Sequence, residues 1–331
     1  MSKNGKKEEV VQRSLSSFAR TEELFPLYVP PVYLMKSSGS HILFTVDLED
    51  WFQVENLRQA IPFASWASRE LRVEKNTHSI LDILDSLQQN GEDGPARATF
   101  FVLGWIAEHL PGLVCEIHSR GHEVASHGYF HRRCSDEASF GALEKDLVDS
   151  KNLLEDITGD PVHGYRAPSF SITDDLLKVI EASGYSYDSS YNSFGMNRRY
   201  GRVDLGQYAK EGISIRISGT FHEIPVSNLD VRGRILPWGG GGYFRLIPLS
   251  LFRRGVQTIL KREGAYLFYI HPWELDPGQP RINAIPAFYR FRHYVNLGRT
   301  GYKVSSLFSR LKGCRFVTCR DYLGFVGGIT E

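Results

Sequence analysis

The chain has 331 residues, with 39 Lys or Arg against 38 Asp or Glu and a net charge of +1. So even a balance leaves no field to gather nucleic acid or an anionic membrane surface, and it argues against a polyanionic partner. Four cysteines (Cys115, Cys134, Cys314, Cys319) are too few and too scattered for a disulfide framework, and they read as reduced and structural.

Residues 1–40 mix charge, Ser and Pro without periodicity and read as a flexible N-terminal arm. Basic residues open the chain, but no apolar run of the signal-peptide kind follows them. The stretch LFPLYVPPVYLM is short and broken by prolines, and no run approaches the roughly 18 apolar residues of a membrane span. The expectation is a soluble, cytoplasmic chain.

From His41 onward, short apolar and β-branched runs alternate with helical patterns. ILFTVDLED precedes the helical THSILDILDSLQQN, RATFFVLG precedes LPGLVCEIHSRG, and HEVASH precedes ALEKDLVDSKNLLEDITG. VHGYRAP leads into TDDLLKVIEASG; YSYDSS and FHEIPVS follow as strands; and the helical LSLFRRGVQTILKREG precedes AYLFYIH. Strand followed by helix, repeated this often, means parallel strands joined by crossover helices. Thr173 caps one helix start, and Gly184 and Gly264 sit just past helix ends. Asp47, His127, Arg166, Asp188 and His271 each fall at or just beyond the C-terminal end of an expected strand. That placement predicts a partly closed (β/α) barrel, in which such ends converge on one face. The segment ILPWGGGGYFRL lacks the Lys-Ser/Thr of a phosphate loop and reads as a flexible loop at the rim of a cleft. The tail, residues 276–331, reads as a basic helix, a final strand and a final helix packed on the barrel.

Several of these residues carry chemistry. His127 and His131 form a His-x3-His pair that, on one face of a helical turn, grips a zinc or another divalent transition metal. Asp47, Glu49 and Asp50 crowd three carboxylates into four residues, which is costly unless a cation or an arginine compensates. Arg166 offers a planar guanidinium to orient one of them. His271 meets the same face. Two histidines and a carboxylate for a metal, a second carboxylate with an arginine, and a distant histidine suit metal-assisted amide hydrolysis. The third ligand stays open: alternation past Asp47 favours Glu49, whereas a strand ending at Leu48 lets Asp50 reach.

TVDLEDW, SHGYFH, RAPSF, YDSSY and YIHPW occur in that order. With them, residues 41–275 resemble the catalytic domain of the NodB-homology polysaccharide deacetylases, carbohydrate esterase family four. The FRHYVNLGRT of the tail resembles the C-terminal extension of the branch found near exosortase and exopolysaccharide loci. The resemblance implies a zinc-dependent deacetylase of an N-acetylated poly- or oligosaccharide. In it Asp47 is the base held by Arg166, His271 tethered by Asp188 is the acid, and a backbone N–H near Ser169 helps stabilise the oxyanion. The chain departs from the family in lacking adjacent aspartates in the first motif and the usual Trp in the fourth, so Trp273 or Tyr269 would supply the acetyl-pocket wall. Two other readings stand beside this one: hydrolysis of a non-sugar amide, as in allantoinase-like relatives, and a sugar-binding module that has lost catalysis.

Overall fold

The structure, a computed structural model, describes residues 39–87, 94–133, 140–195 and 200–327; all but the last two residues of the expected N-terminal arm, and Cys134, lie outside these. Residues from Gly39 onward form one compact unit. Strand β1 (Ser40–Leu48) pairs in parallel with β11 (Ala265–Ile270) on one side. On its other side it pairs with β2 (Thr99–Val102) through its second half and with β12 (Cys314–Phe316) through its first. The parallel ladder continues through β3 (Glu123–Ser126), β4 (Gly164–Tyr165), β5 (Tyr187–Asp188) and β8 (His222–Glu223). β7 (Ser214–Arg216) and β6 (Ala209–Glu211) then extend it antiparallel. The result is the partly closed (β/α) barrel that the strand–helix alternation predicts.

The parallel strands are buried on both faces, as strands covered by helices outside and by their own curl inside must be. Ile42, Phe44, Val46 and Leu48 of β1 belong to the larger apolar cluster, together with Leu81, Ile117 and Phe308 of the surrounding helices. Leu43 shares a second cluster with Phe101, Ala125, Tyr187, Leu267 and Tyr269. Period-two alternation therefore carries the inner face of each strand directly to Asp47 on β1, His127 after β3 and His271 after β11.

The gap between β8 and β11 is bridged by the glycine-rich segment. Tyr269 N–H donates to the Gly239 carbonyl at 2.8 Å, and Leu267 N–H to Ser227 Oγ at 2.9 Å. This segment is packed rather than a free rim loop: Gly241 opens the short helix Gly241–Leu246, and a Cβ on Gly240 would lie 2.0 Å from the Tyr269 carbonyl oxygen. Glycine is required there because only a bare backbone approaches the strand so closely. The expected basic helix of the tail is two helices, Ala287–Tyr294 and Leu297–Phe308, broken at Asn296, which is left-handed at φ 58°. Cys314 and Cys319 are buried free thiols and Cys115 is an exposed one. No helix among the described residues is long and apolar enough to cross a membrane.

Gly240→Ala should therefore lower the thermal midpoint, with a cost of about 1–3 kcal/mol or more from overpacking. Gly112→Ala, whose Cβ would meet nothing within 4 Å, is the control and should leave the midpoint level or raised. Equal melting of both variants in a calorimetric scan would contradict this account of the segment.

Candidate metal centre and active site

Asp47 and Arg166 meet at the centre of the barrel mouth. Arg166 is fully buried; its Nη1 donates to Asp47 Oδ1 at 2.7 Å and to Thr45 Oγ1 at 2.8 Å. Its Nε donates to the Ser189 carbonyl at 2.9 Å, its Nη2 to Ser189 Oγ at 2.8 Å, and the guanidinium lies 4.0 Å over the Phe101 ring. A buried charge pair is tolerable when its remaining donors are satisfied in this way. Burial pushes the Asp47 carboxyl up, but Arg166, with His127 and His271, outweighs that and holds it below the usual carboxylate range.

The backbone of Arg166 sets the next residue. Its carbonyl accepts a hydrogen bond from His127 Nδ1 at 2.7 Å, which leaves Nε2 as the nitrogen with a free lone pair. Burial lowers the His127 pKa to about 4, so the ring is neutral as a metal ligand must be. His131 comes near by a different route from the helical turn expected. β3 ends at Ser126, Gly128 and His131 adopt φ values of 71° and 52°, and the loop wraps on Asp146. The Asp146 carboxylate accepts the N–H groups of Tyr129 at 3.0 Å and Phe130 at 3.3 Å. This turn brings the two imidazole centroids to 5.2 Å.

Glu49 joins them. Although β1 ends at Leu48, Glu49 N–H donates to the Asp47 carbonyl at 3.0 Å, and this tight turn directs the Glu49 side chain back to the site. Its Oε1 accepts from Trp273 Nε1 at 3.1 Å, and its Oε2 lies 2.8 Å from His131 Nε2. That approach is close without being aligned as a hydrogen bond, and among the described residues Oε2 is a buried oxygen with none. One donor atom each from Glu49, His127 and His131 lies within 4.8 Å of the other two. Two imidazoles and a carboxylate with an unsatisfied buried oxygen fit a divalent transition metal with three protein ligands and an open position. Asp50 is not in this group. Its carboxylate accepts the N–H groups of Trp51 (2.7 Å), Arg72 (2.7 Å) and Val73 (2.9 Å), capping the helix Val73–Ser86 from more than twenty residues away.

His271 directs Nε2 into the site, 3.7 Å from Asp47 Oδ2 and 3.6 Å from Glu49 Oε1. Its tether is Glu274, whose Oε1 accepts from Nδ1 at 2.8 Å. Asp188 does not reach it: its carboxylate is taken up by Ser190, which donates its Oγ hydroxyl at 2.6 Å and its N–H at 3.0 Å. Burial raises the pKa of Asp188 and of the neighbouring Glu223, Glu223 the more because Asp188 repels its charge. The sequence reading thus missed Glu274, although a glutamate three residues after a histidine at the start of a Pro-initiated turn is a capping-box signal.

A cleft of about 100 Å³ opens over these groups, walled by Phe170, Tyr200, Tyr269 and Trp273 and floored by Asp47, Glu49 and the three histidines. Ser169, at its edge, holds a left-handed φ of 57°, strain of the kind found at functional sites.

Residues 70–187 match the polysaccharide deacetylase family, and residues 189–324 match a domain of unknown function, DUF3473. A peptidoglycan-N-acetylglucosamine deacetylase of Bacillus cereus is 33% identical over 103 residues, 31% of this chain and 46% of that protein. The chain spans less than half the length of the curated relatives it matches. Among solved structures, a Mycobacterium smegmatis protein classed as a polysaccharide deacetylase aligns with TM-score 0.56 at 18% identity, over 89% of this chain and 96% of its own. An allantoinase aligns with TM-score 0.53 at 12% identity, over 88% and 92%. At these identities the likeness is one of fold.

Glu49→Ala and Asp50→Ala should separate cleanly. The first should abolish stoichiometric zinc binding while the protein stays folded; the second should bind zinc normally but lose about 2 kcal/mol or more of stability, because two helix-entry N–H groups and that of Trp51 lose their acceptor. Metal analysis after dialysis, read beside urea unfolding, checks both, and zinc lost from Asp50→Ala alone would reverse the assignment.

Proposed function

From a chain that carries a polysaccharide deacetylase domain, we propose a metal-dependent hydrolase that removes acetyl groups from N-acetylated sugar residues of a poly- or oligosaccharide. The observation that carries this reading is the convergence of the Glu49–His127–His131 group with the Arg166–Asp47 pair and His271 Nε2 at one cleft. Glu49, His127 and His131 would hold the metal, which when bound polarises the attacking water and the acetamide carbonyl.

The chain's own groups do the rest. Arg166 keeps Asp47 ionised and occupies Oδ1, so Oδ2 is the oxygen that faces the cleft. Asp47 takes a proton as water oxygen bonds to the acetyl carbon; the carbon–nitrogen bond then breaks, His271 Nε2 gives a proton to the departing amine, and acetate and the free amino sugar leave. The backbone at Ser169, strained and at the cleft edge, is the candidate N–H donor to the oxyanion. Tyr269 and Trp273 supply the apolar wall for the acetyl methyl group. With base, acid and ligands all present, an inactive sugar-binding module is the weaker reading.

A polymeric substrate is favoured over a small amide by what adjoins the cleft. Glu55 and Asn56 are shared with a second cavity of about 340 Å³, lined also by Gln59, Arg133, Pro286 and Tyr289. Polar planar side chains with an aromatic ring suit a neighbouring sugar unit. The FRHYVNLGRT motif of residues 276–331, similar to the exopolysaccharide-locus branch, extends the proposal to exopolysaccharide biosynthesis, with residues 41–275 as the catalytic domain.

Acetate released from N-acetylated chitooligosaccharides of increasing length, with and without added zinc, tests the reading. Turnover should require metal and rise with chain length. Asp47→Asn and His271→Ala should retain zinc and each lose about 10²–10⁴ in rate, as loss of a general base or acid does. Wild-type turnover by Asp47→Asn would refute the assigned chemistry.

A further inference from the structure

His271 is held through Nδ1, the ring nitrogen that does not face Asp47, by a run of buried charge. Its N–H and Nδ1 both reach Glu274 Oε1, at 3.2 and 2.8 Å, and Glu274 Oε2 accepts from Arg245 Nε at 2.7 Å. Glu274 and Arg245 are 1% and 2% exposed. The other guanidinium nitrogens go to backbone of the C-terminal segment: Nη1 to the carbonyls of His293 and Val295, both at 2.8 Å, and Nη2 to that of Arg292 at 3.0 Å. Arg292 and His293 lie in the last turn of the helix Ala287–Tyr294, where carbonyls lack helical partners and a cation is favoured. Trp273 stacks between the imidazoles of His271, at 5.3 Å, and His293, at 4.5 Å, and so binds the same groups from the side.

A buried ion pair of this kind contributes little net stability, but it fixes geometry. Glu274, ionised by Arg245, can only accept, so the His271 proton on Nδ1 is fixed and the nitrogen that exchanges protons is Nε2, the one 3.7 Å from Asp47 Oδ2. We propose that Glu274 and Arg245 are positioning residues for His271, and that the segment Arg292–Val295 belongs to the catalytic machinery through the carbonyls it gives to Arg245. The inference rests on His271 being the proton donor, and it gives part of the region that matches a domain of unknown function a role in the reaction.

The test measures Glu274→Gln and Arg245→Lys, each alone and combined with His271→Ala, on a chitooligosaccharide with the zinc-loaded full chain. A glutamine amide can donate to Nδ1 and stabilise the wrong tautomer, so Glu274→Gln should lower kcat about 10–100-fold with KM and zinc content unchanged. Arg245→Lys keeps the charge but loses the fork, and should fall in between. In the His271→Ala background neither change should lower kcat further, because both act through that ring. The same fold-loss in both backgrounds would mean a general structural role and overturn the proposal. ¹⁵N NMR of the His271 ring gives a readout apart from activity: Nδ1 should carry the proton in the wild type and lose that preference in Glu274→Gln. An unchanged tautomer there would also overturn the proposal. Wild-type turnover by His271→Ala would instead remove the proton-donor reading on which it rests, while the tautomer result would still judge whether Glu274 sets the ring.

Discussion

The site depends on one fully buried arginine. The guanidinium of Arg166 cannot stay charged in the barrel interior unless its N–H groups find acceptors, and those it finds are Asp47, Thr45 and Ser189, drawn from two other strands or their ends. Satisfying Arg166 therefore draws β1, β4 and the end of β5 to one point. The same residue orients a proposed metal ligand by a second route, since its carbonyl fixes the ring of His127. Side chain and backbone of a single position thus set the protonation state of the proposed base and the lone pair of a proposed ligand, which links the two halves of the chemistry more tightly than their sequence separation suggests.

A second buried cation organises the other side of the cleft. Arg245 does for His271, through Glu274, what Arg166 does for Asp47 directly. The two arrangements differ in what closes them: Arg166 is satisfied within the parallel sheet, whereas Arg245 needs carbonyls of the C-terminal segment. β12 adds to this by pairing with the first half of β1, the strand that carries Asp47. Residues beyond 275 are therefore joined by backbone pairing to the strand that carries Asp47, and by the carbonyls they give Arg245 to the Glu274–His271 pair.

Much of this was legible in the sequence because alternation and strand order are local properties. Apolar runs ending in Asp47, His127 and His271 identified the strand ends that meet, and the strand preceding RAP gave Arg166. The errors arose where a side chain's partner lies far away in the chain or is chosen by a turn. Spacing decides between Glu49 and Asp50 only if the end of the strand is known; what occupies Asp50 is the return of the chain after residue 51, which presents the N–H groups of Arg72 and Val73 to it. Asp188 sits at a strand end as expected, but Ser190, two residues on, takes up its carboxylate. The His127–His131 loop is irregular because Gly128 takes a left-handed φ and Asp146, in a later helix, supplies its acceptors. Arg245 gave no signal at all, since an arginine in a short helix is ordinarily solvated and its burial here is a tertiary fact.

Glu49, His127 and His131 are proposed to form a metal centre beside the Arg166–Asp47 pair. The most direct measurement is an anomalous difference map from zinc-soaked crystals, collected across the zinc absorption edge. The account predicts one strong peak about 2.0–2.2 Å from Glu49 Oε2, His127 Nε2 and a nitrogen of His131, with Asp47 still paired to Arg166 and outside the ligand set. A peak ligated by Asp50, a peak elsewhere on the chain, or no peak between the two histidines at saturating zinc would contradict it.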